Sequence, residues 1–113
     1  MISPARVRQL ALALPGTEEL AHHGTPDFRV HGKIFATLPP GQNLAVVKLA
    51  LADQADLVRS DPQAFSLNAW SKQGWTNVHL GHVAAAQMRE LLDAAWRHVA
   101  PKKLVAQSEA ENG

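Results

Sequence analysis

Apolar residues recur along this chain at two different spacings, and the switch between them divides it into elements. Val7, Leu10, Ala11 and Leu14 stand at i, i+3, i+4 and i+7, one face of a helix. Ser3 and Pro4 precede them; a serine hydroxyl caps free backbone N–H groups, and proline fits a first helical turn. Pro15-Gly16 ends the run, so the spacing predicts a helix over 4–14 with Arg6, Arg8 and Gln9 on its wet side. From Thr17 to Leu49 the punctuation becomes Gly24, Pro26, Gly32 and Pro39-Pro40-Gly41, and the runs between shorten and alternate. Residues 27–31, 33–38 and 44–49 read as three antiparallel strands, with a tight turn at Gly32 and Glu18 to His22 as a further edge strand.

Helical spacing returns over 52–60, with Asp53 in the first turn and Asp61-Pro62 as the stop. Phe65 and Leu67 are weakly patterned, whereas residues 75–80 alternate as a strand between Gly74 and Gly81. The broadest apolar stripe comes last. Ala85, Met88, Leu91, Leu92, Ala95, Trp96 and Val99 share one helical face before Pro101. The order α-β-β-β(-β)-α-β(-β)-α predicts an α+β fold, an antiparallel sheet of about five strands with helices packed on one face.

With 113 residues, 46% hydrophobic and 19% charged, there is material for one domain, placed at 1–105, followed by a polar flexible tail over 106–113. Cysteine is absent, which removes disulfides, thiolate metal sites and a cysteine nucleophile. The net charge is only +1, so no strong whole-molecule field is expected, although without Glu109 and Glu111 the body is +3. The apolar run 10–14 is shorter than the core of about seven to fifteen residues that an export signal needs, and nothing approaches the ~20 of a membrane span. A soluble cytoplasmic protein with no membrane partner is expected, as a monomer or weak homodimer.

Strand parity bears on function. In the strand at 27–31, Asp27, Arg29 and His31 share the side opposite Phe28 and Val30; in the next, Lys33, Phe35 and Thr37 oppose Ile34, Ala36 and Leu38. If one open sheet face gathers the polar sets, Arg29, Lys33 and Lys48 meet phosphate, Phe35 and Trp75 stack on bases, and His31 and His79 add donors. Four phosphate contacts on a duplex would give a salt slope of roughly −3.6. The competing reading is a solvated face whose aromatics lie under the segment 63–73. Adjacent His22 and His23 point apart, and His79 and His82 lack a third partner at ligand spacing, so no metal site is expected. Ser66 and Ser71 sit in no nucleophile-elbow pattern and no glycine loop cradles phosphate, so neither catalysis nor a cofactor is expected.

Leu14-Pro15-Gly16, His23-Gly24, Phe28-Arg29-Val30, Gly32-Lys33-Ile34-Phe35-Ala36, Asp61-Pro62, Gly74-Trp75-Thr76-Asn77-Val78 and Ala100-Pro101-Lys102-Lys103-Leu104 together resemble the MmcQ/YjbR family over about residues 5–105. The resemblance implies a compact α+β fold like that of secretion-chaperone-like proteins, and a DNA-binding role through a double wing of hairpins. Here the wing tips would be His31-Gly32-Lys33 and residues 39–43. No catalytic motif comes with it. The expectation is therefore a non-catalytic nucleic-acid-binding module; the alternative is a protein-interaction or small-ligand module using the same aromatic face or the groove beside it.

Overall fold

A computed structural model describes residues 1–112. Helix α1 (Pro4–Leu12) starts as anticipated, the Ser3 hydroxyl accepting the Arg6 N–H at 3.2 Å. Strands β1 (Thr17–His22), β2 (Thr25–Val30), β3 (Lys33–Thr37) and β4 (Leu44–Lys48) follow, then α2 (Leu51–Ser60), the short β5 (Phe65–Ser66), β6 (Trp75–His79), α3 (Ala85–Val99) and α4 (Lys102–Asn112). The six strands form one antiparallel sheet in the order β1-β2-β3-β4-β6-β5.

Two hairpins are closed by two-residue turns. His23 and Gly24 join β1 to β2, and His31 and Gly32 join β2 to β3; all four have positive φ, between 50° and 78°. That geometry is the type I′ turn, whose twist matches the strands it connects. His31 is therefore a turn residue, and β2 ends one residue short of it.

Helix α3 packs on β3, β4 and α1, burying Met88, Leu92, Ala95 and Trp96 against Phe28, Val30, Phe35, Ala45 and Val47. The Trp96 indole N–H donates to the Pro15 carbonyl at 2.9 Å, tying α3 to the α1–β1 junction. Gln54 reaches from α2 to Thr76 Oγ1 at 2.9 Å and the Trp75 carbonyl at 3.2 Å. Gly74 lies at φ +100°, and a Cβ there would stand 2.3 Å from the Leu49 carbonyl oxygen, so the chain enters β6 through a space only glycine fits.

Two expectations are corrected. The segment 106–113 expected as a flexible tail is helical as far as residue 112, Gly113 lying outside the described residues: Ser108 is buried and Glu109 pairs with Arg97, while Leu104 and Val105 just before it are half-buried against the core. Second, β3 does not alternate strictly. Phe28 pairs with Ala36 but Arg29 pairs with Ile34, leaving Phe35 as the extra residue of a β-bulge. Phe35 and Ala36 both turn to the helices, at 0% and 1% exposure.

Candidate functional site

The helices leave one side of the sheet bare. Register puts Glu18, Leu20 and His22 of β1 on that side with Asp27 and Arg29 of β2, since directly opposed residues share a face. Across the sheet, Leu44, Val46 and Lys48 of β4 face the same way as His79, Asn77 and Trp75 of β6. Because of the bulge, β3 contributes Ile34 and Thr37 rather than Phe35.

The expected stacking role of Phe35 is overturned, since its ring is fully enclosed in the core. Lys33 is also misplaced by simple parity. It pairs with core-facing Val30, so it leaves the hairpin on the side opposite Arg29, exposed like its neighbour His31. The two anticipated wing tips leave opposite ends of β3, one before Lys33 and one after Thr37, so they do not project side by side.

Arg29 does lie on the open side, but it is occupied. Its Nε and Nη2 donate to the two oxygens of Asp27 at 2.7 and 2.9 Å, and His22 Nδ1 lies 2.8 Å from the second oxygen. The Asp27 side chain is fully buried. Arg29 beside it holds the carboxyl below the ordinary aspartate value of 3.8, burial opposes that shift, and His22 adds to the lowering. The same bonds make Arg29 harder still to deprotonate. Moving Arg29 onto a phosphate would strand a buried carboxylate, costing about 1–3 kcal/mol or more before any contact formed. Glu18, opposite Arg29, balances the remaining charge: two cations, Arg29 and Lys48, face two carboxylates.

Lys48 and Trp75 do come together. The Lys48 ammonium sits 5.6 Å from the centroid of the half-buried Trp75 ring, a cation–π contact. His79 Nε2 is 2.8 Å from the Ser66 hydroxyl, which accepts an N–H from Asn77 at 3.2 Å, while Asn68 donates to Asn77 at 2.9 Å. Asn68 also accepts the Trp70 N–H, and Ser71 accepts the Asn68 N–H and donates to the Trp75 carbonyl. This chain of amides and hydroxyls pins the segment 67–73 along β6 and holds Trp70 out, 63% exposed.

Between that segment and the end of the β1–β2 hairpin, where His22 and Thr25 flank the turn, a groove of about 560 Å³ runs across β3 and β4. Ile34, Leu44 and Val46 floor it, Trp70 and Trp75 wall one side, and Asn68, Asn77 and Gln42 supply polar edges. Of the residues singled out from sequence, Trp75 lines this groove; Arg29, His31, Lys33, Phe35, Lys48 and His79 do not. Sequence reasoning missed Trp70, Asn68 and the aliphatic floor. Trp70 carried a signal: a bulky aromatic in a stretch of small polar residues, Asn68-Ala69-Trp70-Ser71, has no helical or strand face to bury it.

A family model described as YjbR matches residues 12–98. Among solved structures, the chain is similar to the crystal structure of Deinococcus radiodurans protein DR2400, described with the domain DUF419. The TM-score is 0.79 at 23% identity, over 91% of this chain and 82% of that one. At that identity the likeness is one of fold. No curated protein matches the chain.

Proposed function

The chain belongs to the YjbR family, and from that premise we propose that it is a non-catalytic binding module whose ligand seat is the aromatic-walled groove on the bare side of its sheet. The observation that carries this reading is the groove itself: two indoles over an aliphatic floor, with side-chain amides at the rim and a volume of about 560 Å³. Sites for small organic ligands have this make-up, apolar walls with a few placed polar groups, in the range of about 300–1,000 Å³. The fitting ligand is a flat, largely apolar molecule with an amide-complementary edge. Trp70 is the groove's free wall, so closing it over a ligand buries an exposed indole. The Ser66–His79 pair is read as part of the network holding segment 67–73, because Asn77 already donates to that hydroxyl.

A second reading has one observation in its favour. Lys33 has no ion-pair partner among the described residues and stands beside His31 at an exposed turn. That tip suits one or two backbone phosphates, for which a salt slope of about −0.9 to −1.8 is expected rather than −3.6.

Amide and indole resonances followed during titration separate the two. With bicyclic aromatic amides as titrants, shifts are expected at Ile34, Val46, Trp70, Trp75 and Asn77, and Trp70→Ala should weaken them about tenfold. That loss corresponds to about 1.4 kcal/mol, within what one aromatic wall supplies. Labelled duplex DNA at about 50 mM salt should shift only residues around His31 to Lys33. Aromatic titrants that leave the groove unmoved, with duplex binding on a steep salt slope, would transfer the function to nucleic acid.

A further inference from the structure

One row of hydrogen-bonding groups in this fold has no partner. Strand β1 is the outer edge of the sheet, in unbroken register with β2 over six residues; it contains no proline, lysine or bulge to blunt the edge, and of its two charged residues Glu19 is tied to Arg8, leaving Glu18. The opposite edge, β5, is only two residues long. Which β1 groups face outward follows from the turn. His22 and Thr25 flank the two-residue turn and form a hydrogen-bonded pair, so Leu20 and Glu18 also bond inward by alternation. Thr17, Glu19 and Ala21 then direct their peptide groups away from β2. An independent bond agrees: the carbonyl of Pro26, which opposes Ala21, is taken by Leu38 N on the far side, at 3.0 Å. Apart from Thr17 N–H, which donates to Leu14, no turn, loop or cap bond reaches β1 among the described residues.

We propose that a second copy of this chain occupies this edge, the two β1 strands pairing antiparallel about a two-fold axis at Leu20. In that register the free peptide groups of Glu19 meet those of Ala21 in the other copy, giving four backbone hydrogen bonds from two equivalent pairs. On the bare side of the sheet Leu20, 45% exposed, lies against its own copy, and Glu18 lies against His22 of the second copy. His22 already offers Nδ1 to Asp27; its imidazolium form donates from Nε2 to the incoming Glu18 as well. On the helix side Glu19 is held by Arg8, so no free charge meets Ala21. Moving the axis to Glu19 sets two glutamates directly opposite, and moving it to Ala21 leaves Glu18 facing the turn; the Leu20 axis alone pairs opposite charges and buries the exposed leucine. The joined sheet would run to twelve strands, twice the six of one chain. This does not depend on the groove reading: of the β1 residues only His22, the last of the strand, lines the groove, and the backbone pairing through Glu19, Leu20 and Ala21 does not use it, so either can fail alone.

The chain contains no cysteine, so a single introduced one is a clean reporter. At a non-hydrogen-bonded two-fold position the Cα atoms stand about 4.5 Å apart, within disulfide reach. At about pH 6, Leu20→Cys should therefore cross-link under mild oxidation at least about tenfold faster than Glu18→Cys, whose thiol faces residue 22. Sedimentation of the unmodified chain from about 10 μM to about 1 mM should show a weak monomer–dimer equilibrium, as a strand-pair interface of small area predicts. Ala21→Pro removes an outward N–H and should abolish the dimer while leaving the circular dichroism and unfolding midpoint near those of the parent. Equal cross-linking at the two cysteines, a monomer at every concentration, or a dimer indifferent to Ala21→Pro overturns the proposal. So would finding the chain monomeric alone while an extended peptide of another protein occupies β1.

Discussion

Asp27 decides more about the bare sheet face than any other residue, because a fully buried carboxylate commits both Arg29 and His22 to itself. Its carboxyl is held below its ordinary value of 3.8, first by Arg29. The native state therefore binds this proton less readily than the unfolded chain. The resulting stability is present in full above the unfolded value and is lost as the pH falls through the folded one. Asp27→Asn should lower stability by about 1–3 kcal/mol near neutrality, and the gap between variant and parent should close as both are unfolded in increasingly acid buffer. A constant gap from pH 7 to 2, read from denaturant midpoints, would mean the pair adds nothing through its charge. Strand parity already placed Asp27 and Arg29 on one side. What it does not convey is that one of the two is buried, which turns a free cation into a spent one.

At the scale of elements, legibility follows periodicity. The α3 stripe is long and unbroken, and the helix lies where its spacing predicts it. Leu92 is 1% exposed, and Leu92→Ala should cost about 2–5 kcal/mol in an unfolding titration; a change near zero would mean the stripe faces outward. The β2–β3 turn was readable at Gly32, since glycine takes the positive φ that a tight turn demands; that His31 and His23 share the turns with their glycines was not. The bulge was not. A single extra residue in β3 leaves no mark on composition, yet it exchanges Phe35 for Ile34 on the bare side and replaces a stacking platform with an aliphatic floor. Helix α4 escaped for a different reason: its apolar contacts come from only Leu104 and Val105, too few to draw a stripe across a polar segment.

For the whole molecule, one side of the sheet is sealed by helices and the other is left bare, with its charges balanced in place. No helix among the described residues is long and apolar enough to cross a membrane. The α+β class and the helix-on-one-side arrangement were legible because they rest on the order of elements; the groove was not, because segment 67–73 has no periodicity and is placed by side-chain hydrogen bonds. The Trp96–Pro15 bond joins residues 81 positions apart, and this has a bearing on how the chain is made. All six strands are synthesised before any of α3, so a nascent chain carries a finished sheet with Phe28, Phe35 and Val47 uncovered until residues 85–99 arrive. A chain ending at Ala84 should accordingly precipitate or bind hydrophobic dyes. In refolding of the full protein, the quench or shift of Trp96 emission should mark the final, rate-setting closure, after the β-sheet signal has already appeared. Synthesis order would thus make α3 a timer: the apolar side of the sheet stays uncovered until residues 85–99 leave the ribosome.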